Sequence, residues 1–149
     1  DLSKNIIDKN KKKFPNNKKN FFFGKIKELN FDKDYFDVII SEASLYYQTK
    51  KKIFDEVKEF HRILKKGGQI RVYTKSVFDK YYSNKKINKT YESVLKINHW
   101  EKDLTITFLD INDVKKLFSN FKKVSIGLEE FNYINYKKKH SYWIITAEK

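Results

Sequence analysis

The stretch from Tyr35 to Lys75 constrains the fold more than any other part of the chain. Phe36, Val38, Ile39 and Ile40 form a short apolar run, bounded by Asp32 to Asp34 on one side and by Ser41 and Glu42 on the other. Its length, β-branched content and polar borders predict a buried strand. From Lys50 the period changes: Ile53, Val57, Phe60 and Leu64 recur at helical spacing, with Asp55, Glu56, Lys58, Glu59 and Arg62 on the remaining faces. That is the pattern of an amphipathic helix. Gly67 is expected to stop it, because glycine takes a left-handed conformation past a last turn, and Lys65 and Lys66 suit the negative end of the helix dipole. Gln69 to Thr74 then alternates apolar and polar side chains, which predicts a second strand. Two strands joined by one crossover helix predict a right-handed parallel unit of an open α/β sheet.

The flanking segments are read in the same way. Ser3 is a helix N-cap, and Phe14-Pro15-Asn16-Asn17 ends the helix it opens. Phe21-Phe22-Phe23 is expected to be a short apolar strand. Asp110 caps a later helix whose buried stripe is Val114, Leu117, Phe118 and Phe121. Lys123 to Glu129 and Tyr142 to Glu148 are expected to be the last two strands, joined by a polar aromatic loop from Phe131 to His140.

Tyr35-Phe36-Asp37-Val38-Ile39-Ile40-Ser41-Glu42, followed by a helix ending Phe60-His61-Arg62-Ile63-Leu64-Lys65-Lys66-Gly67-Gly68, resembles the fourth strand, following helix and fifth strand of class I S-adenosylmethionine-dependent methyltransferases. The ending of the chain resembles the reversed hairpin of that sheet, and Asp1-Leu2-Ser3-Lys4-Asn5 is similar to the segment after its second strand. The resemblance implies an α/β, Rossmann-like open twisted sheet, mostly parallel with an antiparallel last strand, in strand order 3-2-1-4-5-7-6. It also implies a single domain over residues 1–149, equivalent to the C-terminal two thirds of the family's domain and lacking strand 1 and most of strand 2. The four glycines, at positions 24, 67, 68 and 127, form no Gly-x-Gly turn of the kind that follows the family's first strand. The fourth strand is therefore expected to present an apolar edge, and the 149 residues alone to bind cofactor weakly or not at all.

The resemblance implies roles for individual residues. S-adenosylmethionine is the expected cofactor. Asp1 stands where an acidic side chain accepts from both ribose hydroxyls, a task suited to a carboxylate; a solvated terminal Asp is the other reading. Gly24, Lys25 and Ile26 stand at the adenine turn, but Lys25 replaces the expected acid and has no acceptor, leaving Glu28 as a substitute. Ser41 and Glu42 stand at the rim beside the reacting groups, where Glu42 is a candidate general base or acceptor-orienting residue, with Tyr46 and Tyr47 opening the next helix and offering aromatic faces to a cation. Residues 76–105 correspond to a substrate-side insert in which His99 and Trp100 are candidates for acceptor contact. The reaction implied is methyl transfer to an O, N or C nucleophile of a small-molecule acceptor.

Composition bears on the alternatives. The net charge of +14 comes from 33 basic and 19 acidic residues, but the only arginines are Arg62 and Arg71, and phosphate and guanine recognition favours arginine. A basic module for RNA or anionic surfaces, using Lys11 to Lys13, Lys50 to Lys52 and Lys137 to Lys139, is the alternative of a different class. A non-catalytic methyltransferase remnant is another. Absence of cysteine excludes disulfide and thiol chemistry and fits a cytoplasmic location. His61, His99 and His140 are scattered in sequence and no metal site is expected.

Overall fold

The computed structural model describes residues 1, 3–83, 91–95, 104–133 and 138–149. They form two units, Asp1–Asp32 and Lys33–Lys149.

In the first unit, α1 (Lys4–Lys13) opens at Ser3, whose hydroxyl accepts from the Ile6 amide at 3.4 Å. It closes at Phe14, whose amide donates to the Asn10 carbonyl at 2.9 Å, immediately before Pro15. Short 3-10 helices follow at Pro15–Asn20 and Ile26–Leu29. Phe21 to Phe23 do not form the expected strand. The Asp1 amino group donates to the Phe22 carbonyl and the Gly24 amide donates to the Asp1 carbonyl, both at 3.0 Å. These two bonds tie Asp1 to the segment from Phe22 to Gly24 without forming a strand ladder.

The second unit is built on β1 (Phe36–Ser41), α2 (Lys50–Ile63) and β2 (Leu64–Lys75). Next come α3 (Lys80–Ser83), β3 (Glu92–Leu95), β4 (Leu104–Thr107), α4 (Ile111–Leu117), β5 (Lys122–Tyr133) and β6 (Lys138–Glu148). The main sheet has the order β1-β2-β6-β5. β1 and β2 are parallel, and β6 lies antiparallel between β2 and β5. This is the 4-5-7-6 portion of the expected strand order. β3 and β4 form a separate antiparallel pair.

Three local expectations are corrected. First, α2 ends at Ile63 rather than at Gly67, and its buried stripe is Ile53, Val57, Phe60 and Ile63. Leu64 leaves the helix because it pairs with Phe36 in the sheet. The glycines serve the strand instead. Between Phe36↔Leu64 and Val38↔Gln69 the register shifts, so β2 carries extra residues there; Gly67 takes φ +76°, and a Cβ on Gly68 would lie 3.0 Å from the Asp37 carbonyl oxygen. Second, the run Phe36 to Ile40 is only half buried: Ile39 is covered, whereas Val38 and Ile40 are 55% and 65% exposed. β1 is an edge strand of the described sheet with one face covered. Third, Phe131 to His140 is not a loop throughout, since Phe131–Tyr133 and Lys138–His140 continue β5 and β6, with Phe131 paired to His140.

The covered face carries Ile39, Ile70, Val72, Trp143, Ile145 and Ala147, all buried. Buried residues of α2 and of α4, namely Val114 and Leu117, complete this core with Phe118 and Phe121. Asp110 caps α4 as expected, its Oδ1 accepting from the Asp113 amide at 2.8 Å. The opposite face carries Val38, Ile40, Arg71, Tyr73, Tyr142 and Ile144, none of them buried.

Candidate active site

The carboxyl ends of β1 and β2 are the rim where open α/β sheets bind ligands. Ser41, the last residue of β1, is buried, and its Oγ lies 3.2 Å from that of Ser44. Glu42 follows, exposed, and the chain turns at Ala43 with φ +53°. Leu45, Tyr46 and Tyr47 do not open a helix, which corrects the sequence expectation. Their segment bonds sideways instead: the Tyr46 carbonyl accepts from the Thr107 amide at 2.9 Å, and the Thr107 hydroxyl donates to the Gln48 carbonyl at 2.6 Å. Carbonyls committed to β4 cannot start an i→i+4 ladder, and α2 begins only at Lys50, after Thr49.

Tyr46 is buried with Ile106 and Phe108. Burial, with Tyr47 and Tyr142 nearby, pushes its phenol well above the ordinary value, so it is neutral at physiological pH. Tyr47 is exposed, its ring centroid 4.4 Å from that of Tyr46. A cavity of about 420 Å³ opens at this rim, lined by Glu42, Ala43, Tyr73, Glu129, Phe131 and Tyr142.

Beside the cavity is a cluster that the sequence did not disclose. Lys75 ends β2, and its Nζ lies 2.6 Å from Asp79 Oδ2; their side chains are 4% and 0% exposed. The same carboxylate oxygen accepts from the Ser141 amide at 2.9 Å and lies 3.2 Å from His140 Nδ1. Lys75 Nζ is 3.2 Å from that nitrogen, 3.7 Å from the Tyr142 ring centroid and 5.9 Å from that of Tyr46. His140 is thus not an isolated histidine. Burial pushes its imidazole below the ordinary value, the Lys75 ammonium adds to this, and Asp79 opposes it. Apolar alternation in Tyr142 to Ala147 hinted at a strand, but the three lysines before it hid its start at Lys138.

In the first unit two backbone bonds bring Asp1 beside Phe22 and Gly24. The Asp1 carboxylate is exposed, with Oδ1 accepting from the Ser3 amide at 2.8 Å. An exposed carboxylate is chemically suited to the recognition of a vicinal diol, because its two oxygens can accept from both hydroxyls. The adenine side fits less well. Lys25 Nζ is paired with Glu28 Oε1 at 2.7 Å, and the Lys25 amide donates to Glu28 Oε2 at 3.2 Å, so the substitute acid is tied back to its own turn. Ile26 opens the 3-10 helix that this pairing caps.

His99 and Trp100 lie outside the described residues, as does part of the insert over residues 76–105. Two lysines of the basic runs are neutralised locally: Lys50 pairs with Asp113 at 2.6 Å and Lys139 with Glu130 at 2.8 Å. Among the described residues no group of three potential metal ligands comes together, and no helix is long and apolar enough to cross a membrane.

Residues 1–72 match the family described as "Methyltransferase domain". No curated protein matches the chain. Among solved structures, a SAM-dependent methyltransferase from Methanosarcina mazei superposes with a TM-score of 0.65 at 16% identity, covering 87% of this chain and 66% of that one. A protein from Pyrococcus horikoshii OT3 gives 0.65 at 19% identity, covering 100% and 69%. The 1,6-didemethyltoxoflavin-N1-methyltransferase of Burkholderia thailandensis, solved with bound S-adenosylhomocysteine, gives 0.53 at 14% identity over 87% and 50%. The chain therefore spans about two thirds of the length of the first two and half of the third. At these identities the likeness is one of fold.

Proposed function

We propose, from the match of residues 1–72 to the family described as "Methyltransferase domain" and from a fold like that of a solved SAM-dependent methyltransferase, that the protein transfers a methyl group from S-adenosylmethionine to an O, N or C nucleophile of a small-molecule acceptor. The observation that carries the reading is the parallel β1-α2-β2 unit with β6 inserted antiparallel beside β2, in a chain whose N-terminal half matches the family by sequence.

The cofactor supplies an electrophilic methyl on a sulfonium, so the protein's work is mainly to bind, orient and exclude water. Asp1 accepts from the ribose hydroxyls, with Gly24, Lys25 and Ile26 on the adenine side; because Lys25 and Glu28 satisfy each other, the turn contributes backbone rather than carboxylate contacts. Ser41 and Glu42 belong to the reacting side, where Glu42 orients the acceptor. Tyr47, with Trp100 and His99 as sequence candidates, lies on the acceptor side, and the buried Tyr46 supports the wall behind it.

The test is transfer of labelled methyl from S-adenosylmethionine by the full-length gene product to a panel of small hydroxyl, amine and carbon acceptors, alongside calorimetry with S-adenosylhomocysteine. Asp1→Asn is expected to weaken S-adenosylhomocysteine about tenfold or more, the loss of a charge-assisted hydrogen bond. No binding of S-adenosylhomocysteine and no labelled product would reject the proposal.

A further inference from the structure

The lysine runs of the first unit take no part in the function proposed above, and their surroundings give them a use. Asp1–Asp32 contains nine lysines and four acidic residues, and Lys11 to Asn20 includes five of those lysines and no acid. Every residue from Lys11 to Asn20 is exposed. Among the described residues Lys9, Lys11, Lys12, Lys13, Lys18 and Lys19 form no ion pair, in contrast to Lys25, which Glu28 neutralises. Apolar side chains lie among these charges. Ile7 is the one buried residue among those described in the unit, whereas Ile6, Phe14, Phe22 and Phe23 are 48%, 44%, 44% and 55% exposed. Ile6, Lys9 and Lys13 share a face of α1 by their spacing of three and four. Lys13 Nζ lies 5.3 Å from the Phe14 ring centroid, and that ring stands 6.1 Å from the ring of Phe21. Lysine and apolar surface therefore run together from α1 through Phe14 to the segment from Phe21 to Phe23.

We propose that this unit docks on an anionic phospholipid surface. Phenylalanine held in water is unfavourable and becomes favourable at the boundary of a bilayer, while each lysine close to a negatively charged leaflet adds attraction. The lysines of residues 9–19 meet the headgroups, with their aliphatic stems along the boundary, and Phe22 and Phe23 enter between headgroups and acyl chains. RNA is the other polyanion that such charge attracts. The membrane is favoured because the unit holds no arginine, the side chain suited to bidentate phosphate contact, whereas lipid headgroups call only for the point charges that lysine supplies. Phe14 and Phe22 are also packed against Phe21 and Phe31 rather than standing clear as stacking platforms for bases. The surface lies within one unit and is independent of the methyl-transfer reading.

Sedimentation of the full-length protein with vesicles decides it. At physiological ionic strength the protein is expected to pellet with phosphatidylcholine vesicles containing about one third phosphatidylserine, and to stay in the supernatant with phosphatidylcholine alone. Combining Lys11→Gln, Lys12→Gln and Lys13→Gln is expected to weaken this binding about a hundredfold. Phe22→Ser with Phe23→Ser is expected to weaken it about tenfold at unchanged charge. Hydrogen exchange gives a second readout that needs no variant: the amides between Lys11 and Phe23 are expected to exchange more slowly with the anionic vesicles and not with the neutral ones. Equal partition to both kinds of vesicle, no partition to the anionic ones, or an affinity unmoved by the paired Phe substitutions would overturn the proposal. So would a single-stranded RNA homopolymer that displaces the protein from the anionic vesicles and protects the same amides, which would assign the surface to nucleic acid. Should the paired Phe variant not fold, the wild-type exchange pattern decides.

Discussion

Along β1, Ile39 and Ser41 are buried while Val38 and Ile40, their immediate neighbours, are more than half exposed, and the same contrast runs across the sheet to β6. One face, with Ile70, Val72 and Ile145, is dry core shared with α2 and α4. The other mixes Val38 and Ile40 with Gln69, Arg71 and Thr146 around an open cavity of about 460 Å³. The difference teaches that the apolar pattern of a strand records which residues tolerate burial, whereas which face is covered depends on what packs there. Groups that carry charge collect on the open face: Arg71 stacks on the Tyr73 ring and donates to its hydroxyl at 2.6 Å, with Glu42 and Glu129 attracting its guanidinium.

The contrast can be broken most directly by truncating one branched residue on each face. Ile145→Ala is expected to cost about 2–5 kcal/mol in urea unfolding, since it leaves a cavity among fully packed neighbours. Ile40→Ala is expected to stay within about 0.5 kcal/mol, as for an ordinary surface change. Equal costs would mean that the open face is covered in solution.

A smaller effect sharpens the comparison from the helical side. Asp110→Ala removes the side-chain cap of α4, the helix contributing Val114 and Leu117 to the covered face, and is expected to cost about 1 kcal/mol. Replacing Ser3, which caps α1 through a longer bond, should cost no more than this by the same measurement.

The smallest expected effect is a pH dependence divided between the faces. His61 packs edge-on against Phe121 at 4.9 Å in the layer of the covered face, and burial pushes its imidazole down, assisted by the charge of Lys149. His140, at the other face, is lowered by burial and Lys75. For a base whose folded value lies below its unfolded one, the unfolded chain binds more protons in between. Stability is therefore complete above the ordinary histidine value of about 6.5 and declines as pH falls from there toward the lowered folded values. Thermal melts across this window should flatten partly in His61→Gln and partly in His140→Gln; a slope unaltered by both substitutions would assign it to other groups.

Much of the frame was legible in residue order. The crossover unit follows from the change of period between Ile40 and Ile53, and the α4 cap and stripe from Asp110 and its apolar spacing. These depend on local patterning, which repeats along the chain. The misplaced boundaries share one cause, pairing with another segment: Leu64 and Tyr46 are claimed by the distant Phe36 and Thr107, and Phe131 by His140 across the β5–β6 hairpin. Backbone bonding between segments overrode local preference in each case.

The candidate site divides in the same way. Glu42 at the end of an apolar strand was readable because the rim of an α/β sheet is set by strand direction. The contact of His140 with Asp79 was not, since 61 positions separate them and only the antiparallel insertion of β6 beside β2 closes that gap. Residue order by itself determined the elements, their parallel or reversed sense and the family they resemble, because periodicity and turn chemistry act over a few residues. Tertiary structure alone decided which face of the sheet is dry and which ionisable side chains meet, because burial and charge pairing depend on distance in space.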